Sequence, residues 1–391
     1  MIDSKTAWTQ QDTVYMAEAI QLAWKGLYTT EPNPRVGCVL VKDGEIIGRG
    51  WHQKAGEGHA EVNAIKDAGS QAKGSTAYVS LEPCSHFGKT PPCANALIQA
   101  GVIRVVSAME DPNPEVSGSG FSLLQKAGIQ VENGLLELQA QALNLGFIKR
   151  MQTKRPFVRI KMAVSVDGRT AMASGESKWI TGAAAREDVQ RFRARSSAVI
   201  SGIGTVLYDD AALTVRSSEL GLENADEISK RQPLRVILDS GAQIPEHAKL
   251  FASSGPILLV VSSKARVADG ILQHSNVSVF RLPAGTKESV RNNSVEVVLA
   301  ELARRGCNEV LVEAGASLAG SFIRENCWDE LVLYIAPKLM GSLARPLANL
   351  PMEYMSEAKS LQLKDMRVVG DDIRLTYHQD CSNLTDTSST E

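Results

Sequence analysis

Residues His59-Ala60-Glu61-Val62-Asn63, then Glu82-Pro83-Cys84, then an eight-residue spacer and Cys93 form the stretch that decides how the first part of the chain is read. The spacing predicts a helix over His59 to Ala68, a strand over Thr76 to Leu81 and a helix over Cys93 to Ala100. That order places an imidazole at one helix start and two thiolates around another. Three such ligands suit Zn²⁺ and leave its fourth tetrahedral position open to water, the mark of a catalytic rather than a structural metal.

Water in that position has its pKa brought down toward ~7, and a nearby carboxylate can shuttle its proton to a leaving amine. Glu61, two residues on from His59, can approach such a water without becoming a ligand. The combination resembles the H-x-E and P-C-x-x-C signature of zinc deaminases. Its departure is the long spacer, Ser85 to Pro92, where the general pattern has two residues. A closed site with His86 as fourth ligand, or two buried thiols without metal, would leave Glu61 and Pro83 unexplained.

Outward from this stretch, Met16, Ile20, Ala23 and Leu27 mark the buried stripe of a helix of about four turns. Val36 to Lys42 and Glu45 to Gly50 read as a hairpin about Asp43-Gly44. A strand at Ile103 to Ala108, a helix near Ser119 to Ala127 and a strand at Ile129 to Glu132 complete a three-layer α/β unit. Leu135 to Phe147 reads as helical, and the basic stretch Met151 to Pro156 marks a boundary at about Gln152. The expected division is 1–151, 152–380, and a polar tail over 381–391.

The second part alternates again. Strands are expected at Phe157 to Ala163, Ala198 to Ser201, Leu234 to Asp239, Ile257 to Val261 and Glu309 to Glu313, with helices at Ser294 to Arg305 and from Ser317. That pattern implies a mostly parallel sheet, and Glu330 to Ala336 and Asp372 to His378 read as two further strands. In Val310 to Gly320 an apolar strand ends in glycine where a helix begins, so backbone N–H groups there can hold phosphate. Gly202-Ile203-Gly204 lacks Rossmann spacing.

Length and composition fit this plan. The 391 residues are too many for one small module, and 43% hydrophobic with 22% charged residues excludes wholesale disorder. A net charge of −2 gives no general attraction to nucleic acid or anionic membranes. The longest aliphatic run, Ile257 to Val261, is far short of a bilayer span, and no leader is evident, so a cytoplasmic protein is expected. Six cysteines are too sparse for a disulfide framework, and Cys38, Cys307, Cys327 and Cys381 have no derivable role.

Asn33-Pro34-Arg35-Val36-Gly37, the segment Gly56 to Asn63 and the segment Glu82 to Cys93 closely resemble the bifunctional riboflavin biosynthesis deaminase-reductases, and the resemblance covers nearly the whole chain. It implies a cytidine-deaminase-like first domain that removes the 2-amino group of a diaminopyrimidinone carrying a phosphoribosylamino group. Asn33, His52, Asn63 and Lys89 would line its pocket.

It also implies a dihydrofolate-reductase-like second domain that reduces the ribosyl group to ribityl by hydride transfer from NADPH, beginning at Lys161 to Thr170. Position by position, Ala163, Trp179, Thr205, Asp209, Ser240 and the run Gly315, Ala316, Ser317, Leu318, Ala319, Gly320 and Ser321 would contact the cofactor. Ser177, Arg193, Leu213, Arg216 and Glu313 would contact substrate. Arg193 and Arg216 could serve as bidentate phosphate donors, and Lys161 or Glu313 as groups that polarise or protonate the sugar.

The partners implied are small pyrimidine ribosyl phosphates, with no nucleic acid or membrane, and a homodimer or higher homo-oligomer. A zinc-dependent tRNA deaminase with an accessory domain, and a ligand sensor with decayed sites, are the competing readings. Near-neutral charge and the long spacer oppose the first, and the complete ligand set opposes the second.

Overall fold

The computed structural model describes residues 8–85, 92–114, 116–283 and 294–379. It divides into two compact units, Met1–Arg155 and Pro156–Glu391.

The first unit runs α1 (Gln10–Trp24), β1 (Gly37–Lys42), β2 (Glu45–Trp51), α2 (Ala60–Ala68), β3 (Thr76–Val79), α3 (Cys93–Ala100), β4 (Arg104–Ser107), α4 (Ser119–Lys126), β5 (Gln130–Asn133), α5 (Glu137–Leu143) and α6 (Leu145–Thr153). Its sheet has the order β2-β1-β3-β4-β5, antiparallel about β1 and parallel from β3 to β5. Alternation along β1 makes the layers: Val39 and Val41 pack with Met16, Ala19 and Ala23 of α1, while Cys38 and Leu40 pack with Ala60 and Ala64 of α2.

Small residues let α2 lie directly on the hairpin. A Cβ added at Gly50 would stand 2.2 Å from the Ala60 carbonyl oxygen, and one at Gly48 would stand 2.4 Å from that of Ala64. This close approach fixes the start of α2, where His59 and Glu61 sit.

The expected helix over Leu135 to Phe147 is two helices that meet at Asn144. The buried Asn144 amide accepts from Arg35 N at 2.8 Å and donates to Arg35 O at 2.9 Å, which turns the chain. The polar stretch after Met151 is still helical until Thr153.

The second unit runs β6 (Phe157–Ser165), β7 (Arg169–Ala171), α7 (Ala183–Arg195), β8 (Ala198–Gly202), α8 (Ile203–Asp209), α9 (Ala225–Lys230), β9 (Leu234–Leu238), α10 (Lys249–Ala252), β10 (Ile257–Val261), α11 (Asp269–Leu272), β11 (Val277–Arg281), α12 (Ser294–Arg304), β12 (Glu309–Glu313), α13 (Ala316–Arg324), β13 (Glu330–Ala336), β14 (Arg345–Pro346), β15 (Leu361–Val369) and β16 (Asp372–Gln379). Nine strands form one sheet in the order β11-β10-β9-β8-β12-β6-β13-β16-β15, parallel as far as β13 and antiparallel beyond it.

Both faces of the parallel part are covered, which is why its strands read as continuous apolar runs. Ile160, Ile200 and Val312 pack with α12 and α13, while Val199, Ile237 and Leu311 pack with Val189 and Phe192 of α7. The carboxyl ends of β6, β8 and β12 lie side by side, the place where open α/β sheets bind ligands.

Among the described residues no helix is long and apolar enough to cross a membrane. The tail from Cys381 lies outside the described residues.

Candidate metal centre and nucleotide cavity

His59 is the N-cap of α2, Cys84 follows β3, and Cys93 is the first residue of α3. One ligand atom from each lies within 4.8 Å of the others. His59 Nδ1 is 3.2 Å from Cys93 Sγ and 3.6 Å from Cys84 Sγ, so Nδ1 is the nitrogen aimed at the cluster. Cys93 N donates to Cys84 Sγ at 3.3 Å. Hydrogen bonding from Cys93, with that from His59, outweighs burial and holds the Cys84 thiol well below its ordinary pKa, while the bond between the two sulfurs and burial both push that of Cys93 up.

Glu61 is 3% exposed, and its Oε2 is buried without a hydrogen-bond partner. Burial, then the charge on Cys84, pushes its pKa up to about 7. An imidazole, two thiols and an orphaned carboxylate oxygen fit a zinc ion with an open position.

Asn33 and His52 come together at this centre, Asn33 Nδ2 lying 3.1 Å from His52 Nε2. The carbonyl of Gly58, next to His59, receives the Asn63 amide at 3.1 Å and lies 3.2 Å from His52 Nδ1. The rings of His52 and His59 meet edge to face, their centroids 5.2 Å apart. Lys89 and His86 lie outside the described residues.

Glu82 carries a feature that the sequence reading passed over. Its buried carboxylate accepts from the backbone N–H groups of Asp111, Gly118 and Gly120 at 3.1, 3.0 and 2.8 Å, and more distantly from Phe121. Each of those donors lies far along the chain, so no local pattern announces the contact.

In the second unit a cavity of about 1300 Å³ opens at the carboxyl ends of β6, β8 and β12. Lys161, Ala163, Ser177, Trp179, Arg193, Thr205, Asp209, Leu213, Arg216, Glu313, Gly315, Ala316, Ser317 and Leu318 all line it. Ser240, Ala319, Gly320 and Ser321 do not; for the last three, the resemblance carried over a continuous run where the helix turns. Ala319 is fully buried in the core, a Cβ on Gly320 would strike the backbone of Asn349, and Ser321 faces Ser317 and Arg324. Ser240 sits in the turn after β9, where its carbonyl accepts from Ser262 N.

Neither α8 nor α13 has a side chain capping its first turn, and each starts where a strand of the cavity floor ends. Nothing would meet a Cβ at Gly315 within 4 Å, so the space beside the start of α13 is open. Uncapped N–H groups beside open space fit the phosphates of a dinucleotide.

The two arginines expected to grip phosphate are already engaged. Arg193 grips Glu313 through Nε and Nη2 at 2.5 and 2.9 Å and reaches the Thr214 carbonyl at 3.0 Å. Arg216 holds both oxygens of Glu219 at 2.6 Å. Burial pushes the Glu313 carboxyl up, but Arg193, then Lys161 and Arg216, outweigh it and hold its pKa below the usual carboxylate range. Burial lowers Lys161 from the ordinary lysine value. Arg186, Gln190 and Arg345 also line the cavity. The i, i+4, i+7 spacing of Arg186, Gln190 and Arg193 on α7 was the signal that would have found the first two.

Known proteins divide along the same lines. Residues 9–109 match the family model described as the cytidine and deoxycytidylate deaminase zinc-binding region, and residues 156–375 match the RibD C-terminal domain. The riboflavin biosynthesis protein RibD of Haemophilus influenzae is 50% identical over 373 residues, covering 94% of this chain and 98% of that protein. Its Escherichia coli counterpart is 47% identical over 369 residues, covering 93% and 98%. The structure of Acinetobacter baumannii RibD superposes with a TM-score of 0.87 at 46% identity, covering 95% and 99% of the two chains. A Thermotoga maritima structure described as a diaminohydroxyphosphoribosylaminopyrimidine deaminase and 5-amino-6-(5-phosphoribosylamino)uracil reductase gives 0.80 at 33% identity, again covering 95% and 99%.

Proposed function

The chain belongs to the RibD family of riboflavin biosynthesis proteins, and on that premise we propose how its two units divide the chemistry. It is a bifunctional enzyme, a deaminase joined to a reductase. Our reading is that the first unit hydrolyses the amino group of the diaminopyrimidine ribosyl phosphate. The second then reduces the ribosyl group of the resulting uracil to ribityl, with NADPH as reductant.

The observation that carries this reading is the orphaned, buried oxygen of Glu61 on the same helix start as the cluster of His59, Cys84 and Cys93. Those three residues would hold a zinc ion, which supplies Lewis acidity toward the attacking water. Glu61 takes a proton at its carboxylate and returns it to the departing amine. Asn33, His52 and Asn63 hold the pyrimidine edge, with Lys89 as a fourth contact.

In the second unit the cavity would hold NADPH along the starts of α8 and α13, contacting Ala163, Trp179, Thr205 and Asp209. NADPH supplies the hydride, while the protein supplies position and protons. Arg193 keeps Glu313 ionised and in place, and Lys161 beside it is the group we assign to donate a proton to the opening sugar.

We further propose small-molecule substrates rather than nucleic acid, in keeping with the net charge of −2. Cytoplasmic residence belongs to the same proposal, and none of the five described cysteines is in a disulfide. Assembly as a homodimer or higher homo-oligomer is supported by the apolar residues Leu361, Leu363, Met366 and Val368 exposed on edge strand β15.

The test is one assay of purified protein with the diaminopyrimidine ribosyl phosphate, following ammonia release and NADPH oxidation before and after zinc chelation. Both signals should vanish on chelation, and supplying the deaminated intermediate should restore only the second. NADPH left unoxidised even with that intermediate would remove the reductase reading.

A further inference from the structure

Residues 172–181 run as an irregular strap between β7 and α7, and Ser177, Lys178, Trp179, Ile180 and Thr181 line the cavity. The first half of the strap folds on itself: Met172 N donates to the Glu176 carbonyl at 2.8 Å, and Gly175 N to that of Met172 at 2.9 Å. The second half is held from outside. Lys178 Nζ donates to the Asp209 carbonyl at 3.1 Å, and Arg186 Nη1 to the Thr181 carbonyl at 3.1 Å. Asp209 and Arg186 line the cavity themselves, within reach of whatever binds there.

Two further anchors stand outside the cavity. Lys338 Nζ donates to the Trp179 carbonyl at 2.7 Å, and Gly182 N, where α7 begins, donates to the Asp372 carboxylate at 2.8 Å. They come from adjacent strands: Lys338 follows β13, Asp372 opens β16, and Ile335 stands opposite Ile373, so both lie at one end of that strand pair. Each anchor is itself fixed. The Lys338 carbonyl accepts from Val166 N at 2.9 Å, and the nearby Met340 and Gly341 donate their N–H groups to Asp167 at 3.0 and 2.8 Å. Asp372 is 2% exposed, and Arg374, two residues on, ties the same strand to Asp188 of α7 at 2.7 Å. Gly370, at a φ of +63°, brings the turn before β16 so close to α7 that a Cβ there would stand 3.0 Å from that of Ala184.

We propose that Asp372 and Lys338 are positioning residues of the reductase step, holding the strap so that it presents Ser177 and Trp179 to substrate and cofactor together. Neither lines the cavity, and the resemblance singled out neither. Ser177 and Trp179 are two residues apart in an irregular segment, so a strap without its anchors would misplace both contacts at once. The Asp372 carboxylate is buried and its bond is charge-assisted, so it carries the larger share. The exposed ammonium of Lys338 shares its bond with water and carries less. A loosened strap is ordered by the ligands themselves, so its loosening shows in binding and leaves the chemistry of the bound state largely intact.

This inference rests on the deaminase-reductase reading, and its test separates the two. The Asp372→Ala, Asp372→Asn and Lys338→Met proteins are compared with wild type by calorimetric Kd for NADPH, by KM and kcat with the deaminated ribosyl phosphate, and by ammonia release. Asp372→Ala should raise the Kd and the KM by about 5- to 30-fold each, with kcat at saturation nearly unchanged and ammonia release intact. Lys338→Met should move both constants in the same direction by about 2- to 5-fold. Asp372→Asn keeps an oxygen that can accept from Gly182 N and should recover most of the loss, which a role for the charge alone would not allow.

Because the anchors act through the strap, the effect of Asp372→Ala on the Kd for NADPH should largely vanish in a Trp179→Ala background. The full effect persisting there overturns the proposal. Unchanged Kd and KM overturn it as well, and so does a shift in one of the two alone. A fall in kcat at unchanged Kd and KM marks only a loss of active protein and also overturns it. Should Asp372→Ala fail to fold, Lys338→Met decides: a change at the surface that moves both constants supports the proposal, and one that moves neither overturns it. A wild-type protein that neither binds NADPH nor oxidises it with the deaminated substrate overturns the reductase reading and takes this inference with it.

Discussion

The candidate metal centre and the candidate nucleotide cavity solve the problem of a binding site in opposite ways. At the first, three ligand atoms lie within 4.8 Å of one another, set by one helix N-cap, one loop and one helix start. At the second, a cavity of about 1300 Å³ draws its lining from Lys161 through to Asn349. A metal fixes its ligands to within tenths of an ångström, so few residue types at fixed spacing suffice. A dinucleotide and a sugar phosphate are held by many weak contacts, which any of several residue types can make. The compact site is therefore brittle and the spread one tolerant.

The largest expected effect tests the brittle side. Glu61→Gln keeps the shape of the buried side chain but can no longer take up a proton. Ammonia release should fall by about 10²- to 10⁴-fold while zinc content and NADPH oxidation with the deaminated intermediate stay as in wild type. Retained ammonia release would remove Glu61 from the mechanism and make the metal centre as tolerant as the cavity.

On the other side, the sheet that supports the cavity is pinned at its opposite end by buried ions. Arg159, 2% exposed, pairs with Glu330 and with Glu309 at 3.2 Å; Arg195 joins Glu309 at 3.1 Å, and His378 lies 3.4 Å from Glu330. Removing one partner of such a network leaves uncompensated charge inside, at a cost of about 3–5 kcal/mol. Arg159→Leu should thus lower the unfolding midpoint of the second unit strongly, read by calorimetry, without changing ammonia release. Loss of both activities together would show that the two units do not stand on separate foundations.

The same network makes a smaller, pH-dependent contribution. Burial raises the Glu330 carboxyl, but Arg159 outweighs it and brings the pKa from 4.5 down to about 2. A folded-state value below the unfolded one means stability that is fully present above the unfolded pKa and is lost as pH falls toward the folded one. The stake is on the order of 3 kcal/mol, fading between about pH 5 and pH 2. The difference in unfolding free energy between wild type and Glu330→Gln should shrink over that interval. A difference that is constant with pH would mean that Glu330 is not held ionised by its neighbours.

What could be seen in the sequence follows from the same contrast between short and long range. The hairpin about Asp43-Gly44, the helix from His59 and the strands of the parallel sheet other than β11 are local patterns, and each stands within a residue or two of its expected place, whereas β11 had no expected place. Helix α7 escaped because Ala185, Val189 and Phe192 are its few apolar anchors among charged residues, and β15 because nearly all of it is exposed. The helix break at Asn144 depends on Arg35, more than a hundred positions away, so no window along the chain contains it. In the cavity, most of the residues named by resemblance are lining residues, but resemblance could not show that Arg193 and Arg216 are already paired. It also could not show that the turn of α13 carries Ala319 to Ser321 away from the cavity.

The smallest of these effects concerns a pair of buried ions that mirror one another. Glu82 sits in a nest of backbone N–H groups from the chain between Asp111 and Phe121, just before Pro83 and Cys84. Arg235, fully buried, is its inverse. It donates to the carbonyls of Leu250 and Gly255 at 2.9 and 2.7 Å, to those of Ser253 and Ser254, and to that of Ala212 beside the cavity. Burial holds its pKa down to about 10, still far above neutrality, so the cation persists with carbonyl dipoles as its neighbours.

Each ion ties a loop to a site wall, but the walls differ in what a small displacement costs. Glu82→Gln replaces one accepting oxygen with a donor facing an N–H, worth about 1–3 kcal/mol, and the loosened segment carries a metal ligand two residues on. Zinc affinity, measured by competition with a chelator, should therefore fall, and ammonia release with it. Arg235→Gln displaces only one edge of a broad cavity and should move the KM for NADPH much less. Equal sensitivity at the two positions would mean that the cavity is as exacting as the metal centre.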